Sequence, residues 1–278
     1  MMAVGDEAER LEVRLVLEAI HSRYGYDFRN YTADSMNRRV LAAAAKVGVD
    51  NLGELLHRLI REPAIFGAVL DVLTVRVTEM FRDPEFYHAL RQLVIPVLRT
   101  YPQLKIWHAG CASGEEVYAT AILLSEEGLY ERAQIYATDV SSVAVEQGRE
   151  GLYAEQSLLD FERNYRASGG ELDFGSYWLT AYGRAAIRPA LKRNVHFFQH
   201  DLVSDRSLGE MHVVFCRNVL IYFGDELRQR VFGLFGETLL RGGVLCLGAS
   251  EALPASQRPF YKELSAADRI YRKSSLAA

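Results

Sequence analysis

From about residue 100 the chain alternates short apolar strands with helix-length stretches, and this rhythm constrains its fold more than any other feature. Lys105–Ala109 reads as a strand, followed by a loop and a helix over Glu115–Glu127; Gln134–Asp139 reads as a second strand, followed by a helix from Ser141. Val195–Phe198 and Met211–Cys216 continue the series, then a helix over Asp225–Leu240 and a strand over Val244–Leu247. Strands joined through helices pair in parallel by right-handed crossovers, so the expected fold is a Rossmann-like, doubly wound α/β domain. Phe161–Lys192 breaks the rhythm, and Tyr177–Thr180 with Ala185–Ile187 around Gly183 predicts a hairpin in a short inserted β-subdomain at about 161–192.

The first 75 residues carry only helical patterning. Leu52, Leu55, Leu56, Leu59 and Ile60 follow the stripe of a helix with one buried face, and Phe66, Val69, Leu70 and Leu73 repeat it after Pro63. Two earlier helices are expected around Leu11, Leu15 and Ile20 and around Met36, Val40 and Ala44. The domain division is therefore a helical module over 1–75 and an α/β domain over 76–278. Arg38, Arg39 and Lys46 lie on the second of these helices, either as a solvated face or as a docking surface for an acidic helical partner.

The chain has no run of about 18 apolar residues, and Met1–Arg14 holds four acids and no signal-like core, so a soluble, cytoplasmic protein that does not insert into a membrane is expected. A net charge of -4 gives no case for nucleic acid as a partner. Cys111, Cys216 and Cys246 form no CxxC pair and read as small buried hydrophobes; His196 and His200 lack clustered acidic or cysteine partners, so no metal is expected.

Ligands of open α/β sheets bind beyond the C-terminal strand ends, where strand order reverses. The first such loop runs Ala109-Gly110-Cys111-Ala112-Ser113-Gly114-Glu115-Glu116; its small residues permit close backbone approach, and the following helix offers unpaired amides. The third glycine of a dinucleotide fingerprint is missing, which weakens a dehydrogenase reading. Asp139, ending the second strand, is placed to accept ribose hydroxyls or to cap the next helix. Asp201 is either an adenine acceptor or a turn residue.

Two segments, Leu73-Thr74-Val75-Arg76-Val77-Thr78-Glu79-Met80-Phe81-Arg82-Asp83 and Phe215-Cys216-Arg217-Asn218-Val219-Leu220-Ile221-Tyr222-Phe223, closely resemble signature stretches of CheR-type chemoreceptor glutamate methyltransferases. Ala112–Glu116, Ala137–Asp139, Gly151–Tyr153 and Arg269–Arg272 extend the resemblance in order over most of residues 10–273. It implies a class I methyltransferase domain using S-adenosylmethionine, with S-adenosylhomocysteine as product and no metal, acting on glutamates in the cytoplasmic helical region of a chemoreceptor. Thr78, Arg82, Glu115, Glu116, Asp139, Asp201, Leu202, Asn218 and Val219 match its cofactor positions, with Gly110 in the adjoining loop. Arg82 and Tyr222 match residues that handle substrate, and Arg76 replaces a cofactor-contacting Asn, from where it can reach the cofactor carboxylate. Alternatives are the same chemistry on a small molecule or another protein, and a non-catalytic cofactor sensor.

Overall fold

A computed structural model describes residues 3–28, 33–74 and 78–274. The chain divides into two compact units, residues 1–76 with 221–230, and residues 77–220 with 231–278. A division at residue 75 does not foresee the return of 221–230 to the first unit.

The first unit contains α1 (Ala3–Tyr24), α2 (Ala33–Lys46), α3 (Leu52–Arg61) and α4 (Phe66–Leu73). On α1 the buried stripe is Val13, Val16, Leu17 and Ile20, whereas Leu11 and Leu15 are 48% and 47% exposed. Asn51 starts α3 by accepting the Glu54 amide at 2.9 Å, and Pro63 closes it. Tyr24 stacks on Phe66 at 3.9 Å, and Tyr26 pairs by a β-bridge with Phe223 of the returning segment.

The second unit begins with a helical run not foreseen from sequence: α5 (Pro84–Ala89), a π-turn (Leu90–Val94) and α6 (Ile95–Leu98). Then come β1 (Leu104–Ala109), α7 (Glu115–Glu126), β2 (Ala133–Asp139), α8 (Ser142–Glu150), β3 (Leu152–Ala154), α9 (Leu158–Ala167), β4 (Trp178–Ala181), β5 (Arg184–Ile187), β6 (Val195–Gln199) and β7 (Met211–Cys216). Helix α10 (Asp225–Thr238) runs directly into β8 (Leu239–Leu247), two residues before the expected helix end, and β9 (Tyr261–Ser265) with β10 (Ile270–Lys273) closes the chain.

The main sheet has the order β6-β2-β1-β7-β8-β10-β9. The strands from β6 to β8 are parallel, and β10 and β9 add antiparallel at one edge. Order reverses between β1 and β7, which puts the ligand crevice at their C-terminal ends. Alternation along β1 decides what each face buries: His108 stacks on Phe215 at 4.4 Å on one face, while Trp107 meets Phe235 of α10 at 5.7 Å on the other.

The expected hairpin is present as β4–β5, turning through Tyr182 (φ 51) and Gly183 (φ 72). It belongs to a three-stranded sheet β3-β5-β4, so the inserted β-structure starts at Leu152, ahead of the expected boundary at 161. Among the described residues no helix is long and apolar enough to cross a membrane. All three cysteines are buried and free.

Candidate functional site

The loop leaving β1 is shaped by hydrogen bonds to β2. Gly110 and Cys111 both donate their amides to the Thr138 carbonyl at 2.8 Å, folding the loop over the end of β2. Gly110 has φ 82, and a Cβ there would lie 2.4 Å from Val219 Cγ2, so the loops after β1 and β7 touch only because no side chain intervenes. Ala112 is also left-handed (φ 46), a conformation costing a side-chain-bearing residue about 1–2 kcal/mol. Its amide donates to Asp139 Oδ2 at 2.9 Å, which holds it there. The other Asp139 oxygen accepts the Ser141 amide at 3.0 Å, while the Ser141 hydroxyl caps α8 through the Ala144 amide at 3.3 Å. The capping alternative thus falls to Ser141, and Asp139 braces the loop from the end of β2.

Glu115 and Glu116 are neighbours on α7 and therefore enter different surroundings. Glu115 is 7% exposed and accepts Ser113 Oγ at 3.0 and 2.9 Å on its two oxygens. Burial pushes its carboxyl up to about 7, against the hydrogen bonds from its own amide and Ser113. Glu116 is half-buried, and the His108 hydrogen bond and the Arg217 charge outweigh desolvation and hold its carboxyl below the usual range. His108 Nδ1 lies 2.9 Å from Oε1, and Arg217 Nη1 donates to Oε2 at 3.0 Å. Arg217 continues to Asp83 Oδ2 at 2.6 Å and lies over the Phe86 ring, 4.0 Å from its centroid. Both Glu116 oxygens are therefore engaged by protein. Its place is in a partly buried ion network centred on buried Arg217, tying β1, α7, the residue after β7 and the 81–83 segment.

That network fixes the surroundings of Arg82. Phe81 (φ 54) and Asp83 (φ 58) flank it in left-handed conformations, and the Asp83–Arg217 pair ties this turn to the residue before Asn218. Arg82 itself is exposed, and Thr78 is half-buried.

Asn218 is left-handed (φ 61), and its turn is framed by a residue that sequence reasoning missed. The Glu251 carboxylate accepts four amides: Asn218 at 3.0 Å, Val219 at 2.9 Å, Leu220 at 2.7 Å and Gly248 at 2.7 Å. Burial pushes the Glu251 carboxyl above its ordinary range, and the four amides oppose the shift. Gly248 permits the approach, since a Cβ there would be 2.7 Å from the Asn218 nitrogen. The only sequence signal was an acid just after a strand-ending glycine.

The remaining candidates divide. Asp201 accepts the Val203 amide at 2.8 Å and Ser204 Oγ at 3.0 Å, so the turn alternative describes its local bonding, beside buried Leu202. His200 Nε2 bonds the Arg206 carbonyl at 2.9 Å and His196 Nε2 bonds Gln134 at 2.6 Å, structural partners in both cases. Tyr222 lies in the first unit, its ring 5.8 Å from Phe28 and its carbonyl accepting the Asp27 amide at 2.8 Å. On α2, Arg39 is half-buried and donates Nη1 to the Leu73 carbonyl at 2.7 Å, capping α4. Arg38 and Lys46 are exposed. Arg76 lies outside the described residues.

Residues 11–74 match the all-alpha domain of CheR methyltransferases, and residues 76–268 match their SAM-binding domain. The chain is 44% identical to Cher3 of Pseudomonas putida, over 95% of this chain and 97% of that protein. It is 34% identical to chemotaxis protein methyltransferase 1 of Pseudomonas aeruginosa, over 74% and 77% of the two chains, and 28% identical to a chemotaxis protein methyltransferase of Listeria monocytogenes, over 82% and 85%.

Proposed function

We propose, from the premise that this chain belongs to the CheR methyltransferase family, that it transfers the methyl of S-adenosylmethionine to glutamate side chains of a chemoreceptor-like protein. The single observation carrying the site assignment is Glu115: a carboxylate buried with no cationic partner among the described residues, next to a glycine loop at the sheet's switch point. Such a group suits the ammonium of the cofactor's amino-acid end. Asp139 faces the same loop from the end of β2, the position from which an acid suits ribose hydroxyls. Gly110 and the Glu251-framed turn at Asn218 and Val219 would form the floor beside them.

Bound there, the sulfonium supplies an electrophilic methyl. The acceptor needs no general base, because a glutamate with an ordinary pKa of about 4.3 is already ionised at neutral pH. What is left to the protein is alignment and exclusion of water, worth roughly 7–11 kcal/mol in well-oriented systems. Arg82 is the group proposed to align the acceptor carboxylate, by two parallel N–H donors from a turn that Asp83 and Arg217 hold rigid. Tyr222 is proposed as a second substrate-handling group. Exposed Arg38 and Lys46 are proposed to dock the acidic helical surface of the acceptor.

The test is incubation with methyl-labelled cofactor and receptor cytoplasmic fragments, followed by mild base. Release of volatile labelled methanol is expected, because only carboxyl esters hydrolyse so readily. A base-stable label would move the acceptor to another atom, and tight S-adenosylhomocysteine binding without any transfer would favour the sensor alternative.

A further inference from the structure

The antiparallel edge of the main sheet holds a cavity whose lining includes none of the residues proposed for methyl transfer. It has a volume of about 290 Å³ and is lined by Ala252, Leu253, Arg258, Tyr261, Glu263, Arg269 and Tyr271. Tyr261 and Glu263 are two apart on β9, and Tyr271 of β10 pairs directly with Glu263, so all three share one face of the edge hairpin. The loop after β8 forms the opposite wall.

Three features of this cavity look toward a ligand. Arg258 has no side-chain partner among the described residues. Arg269 spends only Nε, on the Ala249 carbonyl at 3.4 Å, which leaves both terminal nitrogens to donate. The Tyr261 side chain is 7% exposed, and its hydroxyl is buried with no partner. Burial pushes that phenol up to about 12, so it stays protonated and can only gain by finding an acceptor. The backbone adds a fourth sign, since Arg269 is left-handed (φ 55) and a register shift follows at Ile270/Tyr271. Strained residues and bulges of this kind re-aim side chains at binding sites.

We propose that this cavity binds a tetrahedral oxyanion, a phosphate or phosphate monoester, held by Arg258 and Arg269 with the Tyr261 hydroxyl as a further donor. Two planar guanidinium groups match such an oxyanion by paired N–H···O bonds. Glu263, exposed in the same wall, accepts a hydrogen bond from a protonated phosphate oxygen or from a hydroxyl of the ester. The site is independent of the methyl-transfer reading. It borders the same loop, however: Ala252 and Leu253 directly follow Glu251, so an occupied cavity would stiffen the segment that frames Asn218.

The experiment is calorimetric titration of the full chain with inorganic phosphate, glucose 6-phosphate, sulfate and, at matched ionic strength, chloride. Saturable one-site binding of phosphate and sulfate but not chloride is expected. Affinity should fall at least tenfold in Arg269→Gln and in Arg258→Gln, and severalfold in Tyr261→Phe. Arg258 is on the surface, so its variant keeps the fold and the result is readable even where a buried substitution fails. The relative affinities of phosphate and glucose 6-phosphate would distinguish a free ion from an organic ester. Heats equal to those of chloride, or full affinity in the Arg258→Gln/Arg269→Gln double variant, overturn the proposal.

Discussion

Replacing Glu251 with alanine removes the common acceptor of four backbone amides, on Asn218, Val219, Leu220 and Gly248. The donors of Leu220 and Gly248 are in buried surroundings, and each unsatisfied buried donor costs about 1–3 kcal/mol, roughly 2–6 kcal/mol for the two. Burial pushes the carboxyl up, so deletion also relieves a desolvation penalty and the net loss should fall toward the lower half of that range, about 2–4 kcal/mol. Against a typical total of about 5–15 kcal/mol this is a large fraction, visible as a drop in urea midpoint at constant slope. Glu251→Gln retains one acceptor oxygen but turns an amino group toward two donors, so it should fall between wild type and alanine. S-adenosylhomocysteine affinity, measured where both variants are folded, should weaken at least tenfold in alanine, since the turn presenting Asn218 and Val219 loses its frame. An unchanged urea midpoint for Glu251→Ala would refute the reasoning, because the buried Leu220 and Gly248 amides cannot lose their acceptor at no cost.

Gly110→Ala should weaken S-adenosylhomocysteine binding by at least tenfold, from φ 82 and a 2.4 Å approach to Val219 Cγ2; adding Val219→Ala should restore part of the loss by removing the overlap while leaving the backbone strain, and titration calorimetry on the two variants decides it. Glu115, raised from 4.5 to about 7, gives the folded state more bound protons than the unfolded one, so its stability contribution is present below about pH 4.5 and is lost as pH rises toward 7. That loss is about 3 kcal/mol by denaturation, and Glu115→Gln should flatten it. S-adenosylhomocysteine should bind more tightly above pH 7 than below, with proton release near pH 7 seen as buffer-dependent binding heat. Arg82→Ala and Tyr222→Phe should each cut methyl transfer to receptor by at least tenfold, with S-adenosylhomocysteine affinity staying within about threefold in Tyr222→Phe, and full-rate transfer would remove them from the mechanism.

The parallel sheet was legible because β1, β7 and the second half of β8 are buried on both faces and read as mostly apolar runs, while β2 alternates buried and half-buried residues. The run from Pro84 to Leu98 was not, because the π-turn over Leu90–Val94 shifts its apolar residues off the 3.6 period and Pro96 reads as a breaker. On α1 the large residues Leu11 and Leu15 drew attention, yet 13, 16, 17 and 20 carry the true stripe. Motif matching led to the loops holding Asp139, Glu115 and Asn218. It could not show that Glu116 is consumed by His108 and Arg217, nor that Glu251 matters, since its partners are main-chain amides up to 33 residues away and leave no side-chain signature.

The first unit draws on two stretches of chain more than 140 residues apart, 1–76 and 221–230. Tyr26 bridges to Phe223, and a Cβ at Gly25 would lie 2.7 Å from Leu227, so the second stretch is part of that unit's packing. Anyone grafting the all-alpha unit of one homologue onto the methyltransferase unit of another must transplant both pieces. A splice at the linker alone would produce a hybrid whose donor helices meet the recipient's mismatched return segment, and its failure to fold would say nothing about specificity.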